Sequence, residues 1–158
     1  MSRPAFFLAA SLIGVAPAWA DCDHFKWSLA REALAFAATE PLAATGGRAA
    51  VGKGYAVKLT QGLALPNKPG RDPGPATFAA VIDLPSLDAG LYQIALSQEA
   101  WIDVAQNASP VKSSDFSGQH DCPGLRKSVR FALGAGSATV EVSDASAQDL
   151  NFVIFPAP

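Results

Sequence analysis

Leu91-Tyr92-Gln93-Ile94-Ala95-Leu96-Ser97 is the stretch that decides the fold. Tyr92, Ile94 and Leu96 fall at every second position. An extended chain sends such residues to one face, whereas a helix needs apolar positions three and four apart. The same alternation recurs on both sides. Upstream, Tyr55, Val57 and Leu59 alternate with Ala56 and Lys58, and Thr77 to Leu84 reads as a short apolar strand. Downstream, Trp101 to Gln106 comes next. Val129, Phe131 and Leu133 face inward from Lys127 to Leu133, and Ala138, Val140 and Val142 do so from Ser137 to Ser143. Leu150 to Phe155 closes the set. Short strands at regular intervals with turn signals between them define a mostly β chain. The expected architecture is a jelly-roll-like β-sandwich of about seven or eight antiparallel strands. A weak echo supports it: Ala89-Gly90 and Ala135-Gly136 each precede an alternating strand.

Two segments break the pattern. From about His24 to Ala38, Phe25, Leu29, Ala33 and Phe36 recur at helical spacing, with Asp23 as N-cap and Glu40-Pro41 as the stop. This predicts one N-terminal helix packed on a sheet. Trp27 and Arg31 lie four apart, a spacing that allows a cation–π pair. Pro66 to Ala76 holds four prolines and two glycines. It cannot sustain ladder hydrogen bonds. It reads either as a plain or disordered connection or as a rigid rim over a binding face.

The first twenty residues have the pattern of a secretory signal peptide. Arg3 is the only charge before Asp21, an apolar run follows from Ala5 to Val15, and Ala18-Trp19-Ala20 offers small residues around a cleavage point. The expected domain is 21–158, exported to the periplasm or released. The Ala-rich, short leader is of a bacterial kind. No run is long enough to span a bilayer as a helix. The chain holds 12 Lys plus Arg against 14 Asp plus Glu, a net charge of −2. Without a basic field, nucleic acid and anionic membrane surfaces are not expected partners. The expected partner is an envelope protein or a small ligand.

In an oxidising compartment Cys22 and Cys122 are expected to form a disulfide. For a closed loop of about 100 residues the chain-entropy model gives up to about 4.7 kcal/mol. The two cysteines sit in mirror-image triplets, Cys22-Asp23-His24 and His120-Asp121-Cys122. A bridge would gather both histidines with Asp21, Asp23 and Asp121. Imidazoles with carboxylates are ligands for zinc or copper, so His24 and His120 are the candidate metal ligands. The plainer reading is two surface histidines beside a structural bridge, with no cofactor.

Period two on Trp101-Ile102-Asp103-Val104 sends Ile102 and Val104 inward and Trp101 and Asp103 outward. It sends Ser128 and Arg130 outward on the Lys127 strand. Trp101, Asp103 and Arg130 are therefore the candidate ligand-binding residues. The competing reading buries Trp101 beneath the N-terminal helix and leaves Asp103 and Arg130 as a surface ion pair. Hydrolase and nucleotide motifs such as G-x-S-x-G, H-E-x-x-H and the Walker loop do not occur.

Residues 84–106 and 131–142 resemble small jelly-roll modules of secreted bacterial proteins, including the pre-peptidase C-terminal type. A fuller resemblance, over most of residues 21–158, is to a group of small exported bacterial proteins. Residues 22–32, Gly90-Leu91-Tyr92, Trp101-Ile102-Asp103-Val104 and residues 122–131 carry it. Some members of that group bear an automatic label of homogentisate 1,2-dioxygenase. The residues speak against the label. Non-haem iron needs two histidines and a carboxylate on one face, and the only histidines here, His24 and His120, do not form a cupin-like H-x-H set. The expected role is a non-catalytic binding or accessory module of the bacterial envelope. A metal-dependent oxidoreductase using His24 and His120 is the alternative.

Overall fold

A computed structural model describes Cys22 and residues 24–158. The signal-peptide reading of residues 1–20 and the Asp23 cap lie outside these. The described chain begins with helix α1 (Ala30–Phe36), then β1 (Glu40–Leu42), β2 (Thr45–Arg48), β3 (Gly54–Lys58), β4 (Thr60–Gln61), β5 (Phe78–Leu87) and β6 (Gly90–Leu96). It continues through β7 (Trp101–Gln106), β8 (Ser109–Val111), β9 (Ser113–Gly118), β10 (Lys127–Leu133), β11 (Gly136–Ala145) and β12 (Asp149–Pro156).

The strands make two six-stranded sheets. The first runs β1-β3-β12-β6-β10-β9, and the second runs β2-β5-β11-β7-β8 with β4 added beside β5. Tyr92, Ile94 and Leu96 do point into a core, joined by Val129, Phe131, Phe152 and Ile154 from the first sheet. Ile82, Leu84, Ile102, Val104, Val140 and Val142 enter the same core from the second. The two sheets are thus sandwich-like, with one shared apolar interior. At the second Ala-Gly turn, Gly136 holds φ at 119°, a region that L side chains rarely enter.

The expectation of seven or eight antiparallel strands needs correction. Among the described residues there are twelve, and β1 with β3 and β2 with β5 run parallel. The additions are short or polar pieces such as Ser109–Val111 and Ser113–Gly118. They lie at or near sheet margins, where one side needs no apolar residue, so they carry no alternating signal.

The helix also differs. It spans Ala30–Phe36 rather than 24–38, and its N-cap Leu29 makes no side-chain cap. The cause lies in the preceding residues, which are tied to the first sheet. The Cys22–Cys122 disulfide forms, with Cα atoms 5.1 Å apart. The Lys26 amide donates to Ser117 Oγ at 3.0 Å, and Trp27 Nε1 donates to Ser128 Oγ at 3.2 Å. Those bonds hold residues 24–28 along β9 and β10, and the helix begins only after them.

The helix rests on the outer face of the first sheet, over β3 and β12. Leu29, Ala33 and Phe36 pack there with Ala95, Leu125 and Val153. Contact is closest at Gly54, where an added Cβ would meet the Ala35 carbonyl oxygen at 2.1 Å. Among the described residues no helix is long and apolar enough to cross a membrane.

Gly54→Ala should lose at least about 1–3 kcal/mol, because backbone must move to admit the methyl group. Gly90→Ala, whose added Cβ would meet only the Tyr92 side chain at 3.9 Å, should stay within about 0.5 kcal/mol of wild type. Urea unfolding of the two variants side by side checks the helix placement. Equal losses would contradict it.

Candidate functional site

The candidate residues Trp101, Asp103 and Arg130 do not share a face. Trp101 and Asp103 leave β7 on the outer side of the second sheet, as their period requires. Arg130 leaves β10 on the outer side of the first. Its Nε donates to Gln93 Oε1 at 3.0 Å, and its guanidinium lies 4.0 Å from the centre of the Trp27 ring. Gln93 in turn donates to Glu32 Oε1 at 2.7 Å. Glu32 is fully buried and its Oε2 has no hydrogen-bond partner among the described residues. Trp27 therefore pairs with Arg130 and not with Arg31. Arg31 instead stacks 4.9 Å from the Phe155 ring and donates to the Pro156 carbonyl at 3.1 Å.

The helix does not cover Trp101 either; the segment that approaches it is the proline loop. That loop is tied across the second sheet by carboxylates that accept its backbone N–H groups. Asp103 accepts from Gly70 at 3.0 Å, Glu141 from Asn67 at 2.9 Å, and Asp144 from Gly74 at 3.0 Å. Asn67 Nδ2 adds a second bond to Glu141 at 2.7 Å, and Arg71 pairs with Asp144 at 3.3 Å. A proline-rich chain has few partners for its remaining amides, so acids on a sheet face can hold it without a ladder. Trp101 Nε1, Glu141 Oε2 and Ser143 Oγ on this face are buried and unpartnered among the described residues.

The two histidines are exposed. The His24 carbonyl accepts from Gln119 Nε2 at 2.5 Å, while His120 Nδ1 lies 3.1 Å from an Arg126 nitrogen. Cys22 and Cys122 are bonded to each other. Among the described residues no group of three or more His, Cys, Asp or Glu side chains is placed to hold a metal. Asp21 and Asp23, two of the acids expected near the histidines, lie outside the described residues.

The concave surface that does involve Trp101 lies at one side of the sandwich. A cleft of about 230 Å³ is lined by Trp101, Ile102, Ser113, Phe116, Lys127 and Val129. It forms because β9 is a sheet margin. Phe116 pairs with Val129, an inward-facing residue, so both rise on the core side of the first sheet. Phe116 nevertheless stays 63% exposed, since the second sheet does not extend over it.

Lys127 stands at the centre. It lines this cleft and two neighbours, of about 210 Å³ towards Arg71, Glu99 and Asp144 and of about 230 Å³ towards His120 and Arg126. Its ammonium sits 5.3 Å from the centre of the Trp101 ring and donates to the Ala100 carbonyl at 2.6 Å. Partial burial lowers its pKa below the ordinary 10.5, against a counteracting pull from Glu99. Sequence reasoning missed Lys127 and Phe116. Ser113-Ser114-Asp115-Phe116 has no alternation, and Lys127 looks like any strand-end cation. A comparison with family models, curated proteins and solved structures finds no match to the chain.

Two outcomes are expected. Glu141→Ala frees the loop amide and side chain of Asn67, and hydrogen bonds to a charged group contribute about 1.5–3 kcal/mol each. Trypsin should then cut at Arg71 at least about tenfold faster than in wild type, by the relation of about 1.4 kcal/mol per decade. Peptide mapping against cleavage elsewhere checks it. The second outcome concerns Lys127, which costs stability while it is a half-buried ammonium. That cost is present below its depressed pKa and vanishes as pH rises through it. The unfolding free energy of Lys127→Met, relative to wild type, should therefore fall as pH climbs from neutrality towards 10.5. Denaturant melts at several pH values measure the slope, and a flat difference contradicts the assignment.

Proposed function

We propose that this chain is an exported, non-catalytic binding or accessory module of the bacterial envelope, and that it takes a small ligand in the cleft at Trp101, Phe116 and Lys127. The resemblance to small exported proteins and jelly-roll modules supports the export and modular parts of this reading. The Cys22–Cys122 bond is compatible with an oxidising compartment. One observation carries the binding part: an exposed aromatic ring and a half-buried ammonium face one apolar hollow. Pockets of this make-up, mostly apolar with a few fixed polar groups, are where small ligands bind. The two sheets with one shared core are compatible with a sandwich, the coarser part of that likeness.

The test is a small-molecule screen by ligand-observed NMR on the purified protein and on Trp101→Ala. Hits that bind wild type and are lost or weakened at least about tenfold in the variant are expected, as for truncation of a central aromatic anchor. A screen whose hits all bind both proteins equally would remove the cleft from consideration.

A further inference from the structure

We infer that the ligand of this cleft is an organic monocarboxylate with an apolar body, its head on Lys127 and its body against Phe116, Ile102 and Val129. This inference rests on the binding reading above and narrows it to one chemistry.

The charge inventory points to a single anionic head. Arg71 is paired with Asp144 at 3.3 Å, and Lys26 with Asp115 at 2.7 Å. Arg126 donates to the His120 carbonyl at 2.5 Å and lies 3.1 Å from its Nδ1. Lys127 forms no ion pair among the described residues. One of its three N–H donors goes to Ala100. An ammonium that is partly desolvated and makes no direct ion pair gains from an anion brought into contact with it. Among the described residues Lys127 is the only cation lining this cleft, and one cation suits one negative charge, whereas a phosphate or polyanion site gathers several donors, often arginines in bidentate contact.

The surroundings supply the other half of the ligand. Ile102 and Val129 form an apolar floor, and Phe116 presents an open ring. Trp101 holds one side of the ammonium through its ring face. Of the three acids whose charge reaches Lys127, two are engaged by the proline loop and Glu99 lies towards the neighbouring hollows, not in this cleft. Asp103 and Asp144 accept from the proline loop, and Glu99 makes no ion pair among the described residues. A bound carboxylate would favour the charged form of Lys127, so affinity should decline as pH rises through its lowered pKa.

Isothermal titration of the purified protein with octanoate and with cyclohexanecarboxylate tests this, with octanol, cyclohexylmethanol and inorganic phosphate as controls. At least one acid should bind one-to-one and at least about tenfold tighter than its alcohol, as a charge-assisted contact in a partly buried site requires. Lys127→Met should abolish that preference and Lys127→Arg should keep most of it. Phe116→Ser, at an exposed position, should weaken acid and alcohol alike. Acids and alcohols binding equally, with loss in Phe116→Ser, would overturn the carboxylate and leave the binding reading intact. Phosphate binding as tightly as the acids overturns the amphiphilic ligand. No binding by any probe counts against both readings.

Discussion

The bond between Cys22 and Cys122 sets where the N-terminal segment can lie. It fixes the start of the described chain beside the turn that leads into β10. From that point the next residues run along the first sheet, on its outer face. Trp27 then meets Ser128 and Arg130, and Glu32 meets Gln93. A chain-entropy argument treats such a bond as a penalty on the unfolded ensemble. Here it also has a local consequence in the folded state. The segment makes its tethering contacts before the helix starts, and the helix is seven residues long.

Both sheets need a cover on the side away from the shared core, and they obtain it differently. The first is covered by a short helix through apolar contacts and a Glu32–Gln93–Arg130 chain whose first two members are buried. The second is covered by an extended strap whose amides are caught by Asp103, Glu141 and Asp144. The two solutions follow from composition. Leu29, Ala33 and Phe36 can pack as a helical stripe, while a segment with four prolines between Pro66 and Ala76 cannot form a helix or a strand and must be held by side chains.

Much of the fold was legible because alternation is enforced by burial. Tyr92, Ile94 and Leu96 must face one way once a core exists, and Ile102 and Val104 did so as the period required. The strands that escaped notice, β8 and β9, sit at margins where burial imposes no pattern. The candidate site was legible only in part. Asp103 and Trp101 were placed correctly on their strand, but a single strand's period says nothing about which sheet its neighbours join. Arg130 therefore fell on the other side of the molecule. Lys127 and Phe116 acquire meaning only from the gap between two sheets, which is a tertiary fact. The resemblance to small exported proteins added no geometry.

The order of strands carries a further consequence. β1 and β2 stand at the same side of the two sheets and are consecutive in the chain, and so are β8 and β9 at the opposite side. The polypeptide folds over each flank like a hem. Three of these four flanking strands have only three or four residues, and the unpaired amides they present are few. A stray extended peptide finds little template there for the edge-to-edge stacking that seeds fibres. Where the flanks are short, connectivity itself limits the edge open to such stacking, and β9, with six residues, is the longer exception.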